Sequence, residues 1–193
     1  NSVISLDTGF VFLTGTNNEE LIRCFAVTYV NTNGDKVWKK VYSDTQNQLW
    51  EGWDGNLKCF NDKFYFAGGK VNLTSGEIGF NIYNFNNTFD IISQTDIFSN
   101  SLEKRAFYSL KTQDSSYYLT GQIYDETESK YRLLFLKADS LGNYLWHKVL
   151  GNYVYEYGSY LLETSAGTIL TGGETWLTDI SRAKWYLVNT DTA

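Results

Sequence analysis

"VFLTG" at Val11–Gly15, "FYFAG" at Phe64–Gly68, "YYLTG" at Tyr117–Gly121 and "TILTG" at Thr168–Gly172 are one short pattern met four times. Each is an apolar run closed by glycine, and the four glycines stand 53, 53 and 51 residues apart. A fixed period of that length marks a repeat architecture, in which each unit leaves an apolar face uncovered and must bury it against its neighbours. Around each glycine the chain divides into four strand-like runs. In the first unit these are Ser2–Leu6, Gly9–Thr14, Leu21–Asn31 and Lys36–Tyr42. The third run alternates cleanly, with Ile22, Cys24, Ala26 and Thr28 on one side and Phe25, Val27 and Tyr29 on the other.

The second unit repeats the scheme with "NLKCF", "KFYFAGG", "EIGFNIYNF" and "TFDIISQTDI", and the third with "AFYSLKT", "SYYLTGQIY", "YRLLFLKAD" and "NYLWHKVL". The fourth offers "GSYLLET", "GTILTGG" and "AKWYLVNTD" and has no fourth run. Turn residues agree with this division. Asn33-Gly34 has the chemistry of a two-residue type I′ hairpin, Leu141-Gly142-Asn143 occupies the matching place, and Asn86-Asn87 is a weaker form of it. No helical periodicity competes, since the one candidate, "NSLEKRAFYSL", lacks a sustained apolar stripe.

Four antiparallel strands per unit of about 50 residues describe the blade of a β-propeller. The expected fold is therefore all-β, a single propeller domain or part of one, with repeats at about 1–44, 45–100, 101–152 and 153–193. Fifteen strands are supplied where four complete blades need sixteen. The last blade lacks its outer strand, so the chain is either a four-bladed ring with an incomplete blade or an arc of a larger propeller. The stretches Thr112–Gly121 and Leu136–Lys148, with Trp38 and Trp146 in matching strands, resemble the tryptophan-bearing propeller repeats of secreted bacterial surface proteins, grouped loosely with quinoprotein-like propellers. Unit two departs from that pattern, with Phe89 standing for the tryptophan. The resemblance is at blade level and implies a fold and an extracytoplasmic, secreted or surface-anchored address; it supplies no cofactor-binding residues.

Composition fits strands and polar turns: aromatics make up 17% of the chain, while Pro and Met are absent. A net charge of −6 without a basic patch argues against nucleic acid as a partner. No run approaches the length of a membrane span and no signal segment opens the chain, which starts at Asn1 and reads as a mature or excised piece of something longer. Cys24 and Cys59 fall on different blades, at a separation expected to exceed the roughly 7 Å a bridge tolerates, and are expected to be free thiols.

Nothing in the sequence assembles a catalytic or metal-ligating set. His147 is the single histidine, and neither a G-x-S-x-G nor a phosphate loop occurs. The carboxylates Glu51, Asp54, Glu156 and Glu163 lie at loop positions, but sequence alone does not pair them as glycoside hydrolysis requires. The richest segments are the connections between blades: Trp50, Glu51, Trp53 and Asp54 in "QLWEGWDGN", and Tyr153, Tyr155, Glu156 and Tyr157 in "NYVYEYG". Aromatics flanked by acids suit protein interfaces, where Trp and Tyr dominate the binding energy. They equally suit sugars, whose apolar face stacks on a ring while polar neighbours bind the hydroxyls. The expectation is a non-catalytic interaction or scaffolding module without cofactor or metal, contacting a protein or a larger assembly at the cell surface. The alternative is a glycan-binding or glycan-processing accessory protein that uses the same aromatics on an oligosaccharide.

Overall fold

The computed structural model describes residues 2–51, 57–97, 104–151, 155–176 and 183–190. Among these residues every regular element is a strand, and no helix is long and apolar enough to cross a membrane. The first sheet takes β1 (Ser2–Leu6), β2 (Gly9–Asn17), β3 (Arg23–Asn31) and β4 (Lys36–Tyr42) in that order. The second takes β5 (Asn47–Trp50), β6 (Lys58–Phe60), β7 (Lys63–Asn72), β8 (Ile78–Phe85) and β9 (Ile91–Ile97). A third group consists of β10 (Lys104–Lys111), β11 (Tyr117–Asp125), β12 (Lys130–Ala138) and β13 (Tyr144–Leu150). A fourth consists of β14 (Tyr155–Glu163), β15 (Ile169–Trp176) and β16 (Ala183–Thr190). These last two groups form one seven-stranded sheet, joined where Tyr131 pairs in parallel with Tyr155. All other pairings are antiparallel, between strands that follow closely in sequence.

Three readings of the sequence need correction. First, the inner strand of the second sheet is not "NLKCF" alone. It is split, β6 pairing with the start of β7 and β5 with its end, Asn47 opposite Asn72 and Trp50 opposite Gly69. In the third and fourth groups the inner strand is continuous but bulged, between Ala106 and Tyr108 and between Gly158 and Tyr160. Secondly, Asn33-Gly34 is not a two-residue type I′ turn, because only Gly34 takes a positive φ, +90°. The amides of Gly34 and Asn31 close a three-residue loop that ends in a left-handed residue followed by a bulge. Phe89 and Gly142 hold the same place in the next two sheets, at φ +58° and +90°. Phe89 therefore replaces the turn glycine; the residue standing for Trp38 and Trp146 is Ser93.

Thirdly, the four motif glycines are not all equivalent. Counted from these matched turns, the position of Gly68 and Gly121 is held by Thr14 in the first sheet, opposite Ala26. In the fourth group Thr171, next to Gly172, sends its hydroxyl to Thr120 of the third group. That places Gly173, two residues on, at the matching position. Gly15 and Gly172 are one residue out of step. In a strand one step exchanges the two faces, so the error reverses which neighbour each side chain meets.

With that register the sheets stack in series, the second sheet and the third group burying both faces. Val11, Leu13, Phe25 and Val27 of the first sheet pack on Phe64, Phe66, Tyr83 and Phe85 of the second. The opposite face of the second, Tyr65, Ala67, Ile82 and Ile97, packs on Tyr117, Leu119, Leu134 and Leu136 of the third group. Tyr118, Leu133 and Phe135 then meet Leu161 and Ile169 of the fourth. The outer faces of the end sheets carry exposed apolar side chains, Val3, Phe10 and Val41 on the first and Tyr160, Leu162 and Leu187 on the fourth. Cys24 is buried, Cys59 is exposed, and both are free.

Candidate functional site

Strand alternation sorts the connections by end. The β1–β2 and β3–β4 turns and their counterparts lie at one end of the stack, while the β2–β3 connections and the links between sheets lie at the other. At this second, loop end the polar residues collect.

Glu51 follows β5 and reaches back to the first sheet. Its carboxylate takes the Arg23 guanidinium at 3.2 and 3.4 Å, with its side chain 10% exposed. The guanidinium also lies 4.9 Å over the Trp50 ring. Gly15 makes room for this: a Cβ there would fall 2.4 Å from Glu51 Oε1. Trp50 and Glu51 thus both meet Arg23, as part of an ion-paired bridge between sheets. Trp53 and Asp54 lie outside the described residues, as does Tyr153.

The second predicted segment sits at the junction of the third and fourth groups. Tyr155 contacts Tyr131 at 5.1 Å between ring centres and Tyr157 at 5.8 Å, and Tyr131 contacts Tyr124 at 5.0 Å. All four rings are half-buried, forming a row of aromatic surface at the loop end. Tyr157 Oη donates to Glu174 Oε2 at 2.8 Å. Glu156 points to the other side of its strand and is 2% exposed, receiving the Thr175 hydroxyl at 3.4 Å. Its carboxylate rests on Gly151, where no side chain fits: a Cβ would lie 1.6 Å from Oε2. Arg132 flanks the row, donating to the Gly151 carbonyl at 2.5 Å and to Glu128 at 2.5 Å. The two predicted acids therefore take partners at different junctions, Glu51 between the first two sheets and Glu156 between the last two. Glu163 lies at the opposite, turn end, accepting weakly from the Gln113 amide at 3.4 Å.

Tyr124, Tyr131 and Glu174 were not singled out from the sequence, because they lie outside the connections between blades. Only the parallel contact of Tyr131 with Tyr155 shows that strand ends from two units form one surface. Among the described residues no group of three or more His, Cys, Asp or Glu gathers to hold a metal ion. His147 is on β13, where its Nδ1 lies 2.9 Å from Tyr144 Oη.

A polar cavity of about 270 Å³ opens at the same end on the second sheet, on the face turned to the first. It is lined by Asn47, Lys70, Asn72, Glu77, Gly79, Asn81 and Asp96.

The architecture is similar to that of the crystal structure of endo-arabinase from Bacteroides thetaiotaomicron VPI-5482, with a TM-score of 0.60. The match covers 99% of this chain and 73% of the other at 10% sequence identity, a likeness of fold. No protein-family model matches the chain, and no curated protein matches its sequence. The structural likeness corrects one expectation, that the chain is not an enzyme: the scaffold it shares is one on which an enzyme is built.

Proposed function

We propose that the chain is a glycan-binding and glycan-processing unit, an arc of a propeller-type fold that receives an oligosaccharide across its loop end. The row Tyr124, Tyr131, Tyr155 and Tyr157 carries this reading. Half-buried rings beside carboxylates and a guanidinium offer stacking surface for sugar rings and polar partners for their hydroxyls. The shared fold with an endo-arabinase supports it over protein contact alone. Hydrolysis of a glycosidic bond calls for an acid and a second carboxylate on either side of it. Glu174 borders the row through Tyr157, Glu156 lies buried on the opposite face of β14, and Glu51 and Asp54 are the other acids proposed. Trp50, Trp53 and Tyr153 are the other aromatics proposed for binding. The secreted or surface-anchored address implied by the blade-level resemblance goes with this function.

A glycan array with the intact protein, followed by reducing-end assays on the sugars retained, tests the proposal. Capture of a neutral oligosaccharide that weakens about tenfold in Tyr131→Ala and Tyr155→Ala is expected, about 1.4 kcal/mol. Turnover, where found, should vanish in Glu156→Gln or Glu51→Gln. Failure to retain any glycan would refute the reading and return the loop end to protein contact.

A further inference from the structure

The cavity on the second sheet is lined in part by residues whose matched positions in the first and third units are apolar. Asn81 opposes Gly68 on one side and Asp96 on the other. The matching pairs are Ala26 with Val41 in the first sheet and Leu134 with Val149 in the third group. Two positions that are apolar in units one and three are an amide and a carboxylate in unit two. Asn81 is fully buried, and only one end of its amide is satisfied: Nδ2 donates to Tyr83 Oη at 3.0 Å, while Oδ1 has no partner. Turning the amide over would exchange the orphaned atom without removing it. Asn47, 5% exposed, repeats the pattern, with Nδ2 donating to Asp44 Oδ2 at 2.8 Å and Oδ1 unpartnered. Both residues line the cavity.

Buried amide oxygens without donors are costly, and native structures rarely keep them without a reason. Here two of them share a cavity whose other walls are polar: Lys70 Nζ lies 2.6 Å from Asp96 Oδ2, and Glu77 and Asn72 close the rim. The lining selects among ligands by chemistry. An apolar group would leave the amides unsatisfied, and a phosphate would meet two carboxylates and a single ammonium. A divalent cation would compete with the ammonium already paired to Asp96. What fits is a neutral molecule with several hydroxyls, each able to donate to an amide or carboxylate oxygen and accept from Lys70. The volume lies just below the usual range of ligand pockets, about 300–1,000 Å³, and suits one sugar ring rather than a chain.

We infer that this cavity is a second, separate site that takes a single sugar residue, either a free monosaccharide or the end of a glycan chain. It extends the glycan reading above but is tested independently of it. Amide NMR shifts of residues 70–81 and calorimetry should be followed during titration with neutral pentoses and hexoses, first free and then as chain ends of tetrasaccharides. The key variant is Asn81→Leu, which restores the leucine that unit three carries at this position. Asn47→Ala and Lys70→Gln at the rim serve if Asn81→Leu does not fold.

The expected result is a set of shifts confined to the cavity, with affinity falling at least about tenfold in the variants and unchanged in Tyr131→Ala. Response to free sugars identifies a monosaccharide site; response to tetrasaccharides alone identifies a chain-end site. Absence of cavity shifts with every sugar, or shifts indifferent to these variants, overturns the inference. Glycan capture that depends on Tyr131 but not on Asn81 would then leave the loop-end function standing. Cavity binding without any capture on the array would refute that function and keep the cavity.

Discussion

The first junction between sheets and the last are built from different materials. Between the first and second sheets, Phe25 meets Phe66 edge-on at 4.8 Å and Tyr83 at 4.9 Å, Tyr42 meets Phe85 edge-on at 5.5 Å and Trp38 meets Phe89 at 5.6 Å. Ion pairs fasten both ends, Arg23 with Glu51 at the loops and Lys40 with Asp90 at the turns. Between the third and fourth groups a smaller apolar cluster shares the contact with hydroxyls, Thr171 Oγ1 donating to Thr120 Oγ1 at 3.2 Å. There the backbone of Gly158 comes so close that a Cβ would lie 1.7 Å from Thr120 Oγ1. Buried aromatic rings give the first junction its stability, whereas close backbone approach allows β14 to run beside β12 and create the tyrosine row. One junction is built for cohesion and the other for a surface.

The sharpest way to break this contrast is to empty the aromatic junction. Phe66→Ala removes a fully buried ring and should cost about 3–5 kcal/mol in urea unfolding. Leu161→Ala at the last junction should stay near the lower end of the leucine range, about 2 kcal/mol; equal losses would erase the distinction. Next comes Phe89→Gly. The ring is buried against Trp38 and Phe64, but its left-handed backbone is strained, so glycine returns about 1–2 kcal/mol of the loss. A net destabilisation of about 2 kcal/mol is expected, clearly below that of Phe66→Ala.

Gly158→Ala tests close approach at the other junction. An added methyl must displace Thr120, with an expected cost of about 1–3 kcal/mol. Thr120→Ala in the same chain should recover part of it, and a cost unaffected by residue 120 would show that the contact is not limiting.

The smallest effect expected is on acid stability. Hydrogen bonds from Lys40, Thr88 and Asn86 hold the exposed Asp90 carboxyl down at about 2, below its ordinary 3.8. Its contribution is complete above about pH 4 and is lost as pH falls towards 2, because protonation breaks the pairing. Asp90→Asn should flatten that part of the stability profile in acid titrations followed by circular dichroism; an unchanged acid limb would remove the turn-end clasp from the first junction.

Much of the fold was legible because alternation and turn chemistry are local. β1 at Ser2–Leu6 and β4 at Lys36–Tyr42 match the sequence reading to the residue, and most other strands match within one to three residues. The errors share a cause. Gly15 and Gly172 look like Gly68 and Gly121 in sequence, but hydrogen-bond register, not composition, decides which face a strand residue takes. The break between β5 and β6 was missed because Asn47–Trp50 is too short to show a period. Of the candidate site, Trp50, Glu51, Tyr155, Glu156 and Tyr157 were singled out through their position in connections. Their partners Arg23, Tyr131 and Glu174 were not singled out with them, because each belongs to a different strand. Asn81 was passed over inside "EIGFNIYNF", where one amide among apolar residues reads as an exposed face.

The sequence by itself determined an all-β chain of four repeating hairpin units, since strand periodicity, turn residues and spacing are carried by neighbouring residues. Only the tertiary structure decided which faces meet, that Glu51 is tied to Arg23, that four tyrosines from two units form a row, and that two buried amides share one cavity. Those relations join residues tens of positions apart, and they depend on a register that shifts by single residues at bulges and turns, where composition carries no signal.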